Sequence, residues 1–266
     1  MKTHTIIIAL LLAGFMLVSC DEKENDKAVI LYEIAADVKD VDGNSYKAVR
    51  IGEQTWMAEN LNVSHFRNGD PILHVTSNYE WFEAGEKGIP AWRYYNDDPE
   101  LGKKFGKLYN AFAVNDPRRL APEGWRIPAD SDWSELFTLI SGSEPHKSEA
   151  GFKKDGEEEF TYRIMGYRWN DAARAVKRGN WTDEVEGPNN SGFGALPTGY
   201  VDSYGNFYYK GQAARWWGTP SDSEFSRFMD AEFDFSCAKL RSGNNIVSLS
   251  AAPMQAAGYS VRLIKD

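Results

Sequence analysis

Catalysis and metal binding draw on Cys, His and carboxylates at close spacing, and this chain supplies few such groupings. It has two cysteines, Cys20 and Cys237, far apart in 266 residues. Cys237 sits in AEFDFSCAKL among apolar neighbours, which suits a buried thiol better than a nucleophile. His65, His74 and His146 read as loop residues without metal-ligand spacing. Neither a Ser nucleophile elbow nor a phosphate-cradling glycine loop is present. The 39 acids always permit some carboxylate pair, so an enzyme with a carboxylate or metal site stays as the alternative reading. No catalytic residue, resident metal or cofactor is expected. Calcium is left open at Asn170/Asp171 and at the acidic run 155–159. The first reads most simply as a helix cap and the second as a solvated turn.

Aromatic residues are the stronger signal, at 14% of the chain. Segments 79–95 and 202–218 carry Trp81, Trp92, Tyr94, Tyr95, Trp216 and Trp217, the candidate ligand-binding residues, together with Tyr79, Tyr204 and Phe207. Sugar rings stack their C–H faces on such rings. Against this, aromatics bury large areas and dominate cores. Neighbours on a strand point to opposite faces. If Trp216 and Trp217 lie on one, only one can enter the same core, and at least one ring of the set is expected to be exposed.

Few elements are needed to position these residues. In APEGWRIPADSDWSEL, Pro128 precedes a helix for which Asp130, Ser131 and Asp132 supply N-cap chemistry. Trp133, Leu136, Phe137 and Ile140 fall at i, i+3, i+4 and i+7, one apolar helix face, and Ser141-Gly142-Ser143 ends it. Trp125 is expected to cover the same core as Trp133. A second helix follows Trp169-Asn170-Asp171, with Asn170 or Asp171 as its cap and Lys177, Arg178 and Gly179 at its end. SYKAVRI reads as an early strand. GFGALPTGY, VDSYGNFYYK, ARWWGTP, RFMDAEFDF, NIVSLS and YSVRLIKD read as late strands between turns. No fixed period repeats, which argues against a solenoid or propeller, and no second linker follows residue 40, so a single domain is expected.

The N-terminus suggests a location. Lys2 precedes an apolar run, Ile6 to Val18, too short to span a bilayer comfortably, and the run closes in Leu17-Val18-Ser19-Cys20. The stretch resembles a bacterial lipobox, in which the cysteine is acylated and becomes residue one. The expected organisation is a signal peptide at 1–19, a lipidated N-terminus and tether at 20–36, and a folded domain at 37–266. Asp21 and Glu22 fit both a signal for the cell surface and a plain solvated spacer. The protein would sit in the cell envelope as an outer-membrane lipoprotein, with the membrane as partner through Cys20. A formal net charge of −9 and a pI near 5.1 argue against nucleic acid as a partner.

Several segments, in order, resemble the Fibrobacter succinogenes major paralogous domain. They are DVDGNSYKAVRIGEQTWMAENL, FGKLYNAFAV, LAPEGWRIPADSDWSEL, GFGALPTGY and GYSVRLIKD. Two departures are a charged 153–181 segment and Ala129 where a Ser or Thr cap is usual, which leaves the capping to Asp130. The resemblance implies an α+β fold: a single C-type-lectin-like domain with two helices, a late antiparallel sheet and long irregular loops. In such folds the first and last strands pair, which would set Tyr46–Ile51 beside Tyr259–Ile264. Formylglycine-generating enzymes look related in fold but need active-site cysteines, and related sulfoxide synthases use a histidine triad. The expectation is therefore a non-catalytic binding or adhesion domain whose ligand is a glycan or another envelope polymer.

Overall fold

Asp42-Gly43-Asn44 folds the chain back on itself. The Asp40 carboxylate accepts the backbone N–H groups of Asp42 and Asn44 at 3.0 and 2.9 Å, and Gly43 takes φ 82°, which side chains disfavour. The structure, a computed structural model, describes residues 32–152, 161–182, 187–219, 235–252 and 254–266. Cys20 and the 155–159 run lie outside the described residues.

Strands in chain order are β1 Tyr32–Lys39, β2 Ser45–Ile51, β3 Gln54–Met57, β4 Leu73–His74, β5 Ala91–Arg93, β6 Leu108–Tyr109 and β7 Trp125–Arg126. Then come β8 His146–Phe152, β9 Thr161–Trp169, β10 Tyr200–Val201, β11 Phe207–Tyr208, β12 Ala213–Trp217, β13 Phe235–Arg241, β14 Val247–Ala252 and β15 Ile264–Lys265. The helices are α1 Asn78–Glu86, α2 Pro99–Phe105, α3 Ala111–Val114, α4 Asp130–Ser141 and α5 Ala172–Val176. Two five-stranded sheets, ordered β1-β2-β3-β15-β7 and β12-β13-β14-β9-β8, carry the architecture, beside a three-stranded sheet and the β10-β11 pair. The fold is α+β.

Several expectations are corrected. β1 begins at Tyr32, inside the segment read as a tether. The last strand joins the first sheet but pairs with β3, Ile264 against Trp56, because β2 is already flanked by β1 and β3. The described residues hold five helices, not two. The three extra ones are short, and each starts at a local cap: Ser77 accepts from Glu80 N, Asp98 from Glu100 N, and Asn110 from Ala113 N. α4 matches the expected face, with Trp133, Leu136 and Phe137 buried, and ends at Gly142 in the left-handed conformation. The N-cap is Ala129, which makes no side-chain cap bond, and the acid that serves this end is Asp132, not Asp130: the Asp132 carboxylate accepts Ala129 N–H at 2.6 Å. At α5, Asp171 stands at the N-cap position with φ 62° and makes no cap bond. Asn245 replaces it, accepting from Arg174 N at 2.7 Å while donating to Asp171 at 2.8 Å.

The second sheet is apolar on one face and partly apolar on the other, and this explains the tryptophan pair. Trp216 enters a core with Trp56, Trp133, Trp169 and Phe193. Trp217 points the other way, into a core with Trp92, Trp125, Tyr109 and Tyr259. Both are fully buried because two cores, not one, flank β12. For the same reason Trp125 and Trp133 are both buried but in different cores, contrary to the expected shared one. Cys237 is buried as a free thiol in the core of Trp125 and Trp217, and burial raises its pKa.

Candidate functional site

The loop after β3, Ala58 to Asn62, is the point at which the distant segments meet. Asn60 is buried, and its amide is the hub. Its Oδ1 accepts from Trp216 Nε1 at 2.9 Å and from Arg262 Nη2 and Nε at 2.7 and 3.1 Å. Its Nδ2 donates to Phe105 O at 2.8 Å and reaches Ser260 Oγ and Thr198 Oγ1 at 3.3 and 3.4 Å. Close approach here needs glycine. Gly106 has φ 76°, and a Cβ there would lie 2.8 Å from Leu61 O. Gly194 has φ 70°, with Ala58 O 2.7 Å from its would-be Cβ.

Arg262 is buried beneath this loop, and among the described residues no carboxylate pairs with it. Its guanidinium donates to Asn60, to Met57 O at 3.1 Å and to Phe193 O, and lies 4.5 Å from the Phe193 ring centroid. Burial lowers its pKa to about 9, so it stays charged at neutral pH.

Above the hub is an open cleft of about 520 Å³, walled by Glu59, Asn60, Lys103, Lys104, Arg178 and Arg262 among others. An adjoining hollow of about 240 Å³ shares Lys104, Gly179 and Leu196 with it and runs on to Lys210. Together they form an elongated groove. Its exposed rim carries Lys103, Lys104 and Arg178 against a single acid, Glu59. Lys103 pairs with Glu100 at 2.6 Å outside the groove. Such a rim offers N–H donors to hydroxyl or anionic groups.

The rings proposed from sequence do not assemble into a platform. Trp81, Trp92, Tyr95, Trp216 and Trp217 are all buried, and Tyr94 is half-buried. Their polar edges serve the fold: Trp81 Nε1 donates to Asp202 O at 2.9 Å, and Trp217 Nε1 to Tyr109 O at 2.7 Å. One face of Trp92 is stacked by His74 at 3.9 Å. The buried Lys107 ammonium lies 4.1 Å from the Trp92 centroid, and burial lowers its pKa to about 8. The exposed rings of these segments are Tyr79, at 68%, and Tyr204, at 65%, with Phe82, Tyr208 and Tyr209 exposed to a lesser degree. His74 and His146 lie on β4 and β8, not in loops, and His65 bonds Asp42 at 2.6 Å. The histidines do not converge, and among the described residues no group of three His, Cys, Asp or Glu could hold a metal. Sequence reasoning missed the groove. Its signal lay in Arg262, a cation inside the otherwise apolar Val261–Ile264 run; Asn60 stands among polar neighbours and gave none.

Fold and site together define an α+β domain with an elongated, cation-rimmed groove at the junction of its sequence segments. The chain belongs to the Fibrobacter succinogenes major domain family, whose model matches residues 49–265. No curated protein and no solved structure matches it.

Proposed function

We propose that this chain is a lipoprotein of the cell envelope, held in the outer membrane through acylated Cys20. Its domain, C-type-lectin-like in fold, is a non-catalytic binding or adhesion module that takes a glycan or other envelope polymer in the groove. The carrying observation is the groove itself: it is open and runs through two adjoining hollows, and its exposed cations suit a chain of hydroxylated units better than a small reactive substrate. The LVSC end of the apolar run supports the anchor.

A glycan array probed with the wild-type protein and with Arg178→Ala tests the binding. Selective signals that fall in the variant are expected. An array without signal, or one indifferent to Arg178, would refute the groove as the site. Cys20→Ala should move the protein from the membrane fraction to the soluble fraction, and identical partitioning would remove the anchor.

A further inference from the structure

Strand register sets up a second surface. Directly paired residues of an antiparallel sheet share a face. In the sheet β12-β13-β14-β9-β8, Arg215 is opposite Lys239, Lys239 opposite Ser248, Ser248 opposite Arg168, and Arg168 opposite His146. One row therefore crosses all five strands, roughly 19 Å at the usual strand spacing. It contains three cations, a serine and a histidine, and no acid. The alternate row, Trp216, Ala238 and Leu249, is buried in the core with α4 and α5. Arg168 and His146 are exposed, and Lys239, Ser248 and Arg215 are half-buried.

Two features make this more than a solvated basic patch. First, Arg215 and Lys239 are like charges directly opposite each other, an arrangement that destabilises a sheet. Among the described residues, no carboxylate pairs with Arg168, Arg215 or Lys239. Burial, together with the charges of Arg215 and Arg241, holds the Lys239 ammonium below its ordinary pKa. Second, aromatic rings hold one end of the row. The Arg215 guanidinium lies 3.7 Å from the Tyr200 centroid and donates to Tyr259 Oη at 3.2 Å. Tyr200 in turn packs against the exposed Tyr208 and Tyr209, at 5.7 and 5.9 Å. Arg241, on the same face as Lys239, lies 5.6 Å from the Tyr209 centroid.

We infer that this row is a binding site for an extended acidic polysaccharide, whose carboxylates or sulfates pair with Arg215, Lys239 and Arg168 while a sugar ring rests on Tyr208 or Tyr209. Ligand anions would relieve the Arg215–Lys239 repulsion that the folded chain otherwise bears. The site is distinct from the groove and stands whether or not the groove binds a glycan. Tyrosine faces beside the cations favour sugars over a bare phosphate chain, since stacking on sugar C–H faces uses the exposed rings.

The test is calorimetric titration of the full chain in detergent micelles with oligogalacturonate, with dextran of matched length, and with single-stranded DNA. Oligogalacturonate should bind in a salt-sensitive manner, more tightly than DNA, and dextran should not bind. Lys239→Met should weaken oligogalacturonate by about tenfold, the usual scale for one charged hydrogen bond. It should also raise the melting temperature, because it removes the repulsive pair; a purely structural lysine would lower it. Arg168→Gln, at an exposed position that cannot disturb the core, should weaken binding similarly. Arg178→Ala, in the groove, should leave oligogalacturonate affinity unchanged. Absent binding, equal affinity for dextran or DNA, or an affinity indifferent to both Lys239→Met and Arg168→Gln would overturn the inference. Loss of oligogalacturonate binding in Arg178→Ala alone would assign the acidic glycan to the groove instead.

Discussion

Replacing Asn60 with leucine tests whether one buried amide holds the domain's segments together. The side chains share heavy-atom count and branching, and leucine is the bulkier, so no cavity is created and the loss is chiefly polar. Arg262 gives up two hydrogen bonds, at 2.7 and 3.1 Å, and keeps its backbone acceptors Met57 O and Phe193 O. Losing hydrogen bonds to a charged group costs about 1.5–3 kcal/mol. Trp216 Nε1 also loses its acceptor, at 2.9 Å, and an unsatisfied buried donor costs about 1–3 kcal/mol. The two terms share one network and do not add in full, so a total near 4 kcal/mol is expected. Domains of ordinary stability have about 5–15 kcal/mol in all. The assay is urea unfolding followed by tryptophan fluorescence. With a slope of about 2 kcal/mol per molar urea, the midpoint should fall by about 2 M. Asn60→Asp keeps an acceptor beside the guanidinium; it loses the donation to Phe105 O, at 2.8 Å, while the Ser260 and Thr198 hydroxyls, at 3.3 and 3.4 Å, can turn to donate to the carboxylate, so its loss should be smaller. A shift in Asn60→Leu worth less than about 1 kcal/mol, or a larger loss in Asn60→Asp, would refute the account of the hub.

Trp133 is fully buried against Trp56, at 4.7 Å between centroids, and its Nε1 has no partner among the described residues. Trp133→Ala should cost about 3–5 kcal/mol in the same assay, whereas Trp133→Phe should cost much less because it also removes the orphaned N–H. Lys107 predicts a pH dependence. Burial lowers its pKa from 10.5 to about 8, so the folded state binds fewer protons than the unfolded state between those values. Stability from this group therefore rises with pH across that window, where the penalty for the buried charge fades. The stability difference between wild type and Lys107→Met should move in favour of the wild type from pH 8 to 10.5, and a flat difference would contradict it.

Local chemistry was legible wherever it was self-contained. The apolar spacing of α4 and its glycine stop lie within one segment, so the helix could be read before any neighbour was known. The strand at Ser45–Ile51, the thiol state of Cys237 and the family were legible on the same terms. The short helices were not, because four to nine residues hold too few turns for a periodicity to appear, and they depend on caps.

The sites belong to the tertiary structure. Sequence shows that Trp216 and Trp217 must face opposite ways; only the packing of a core on each side of β12 decides that both are buried. Nothing near Asn60 in the chain announces Arg262, since the two meet through strand pairing across almost the whole domain. The cationic row likewise arises from register among five strands, and a slip of one residue would send each side chain to the other face. Period and composition determine which residues seek burial. Register and the meeting of distant segments determine where the charges that remain come together, because those contacts are non-local and no window of sequence contains them.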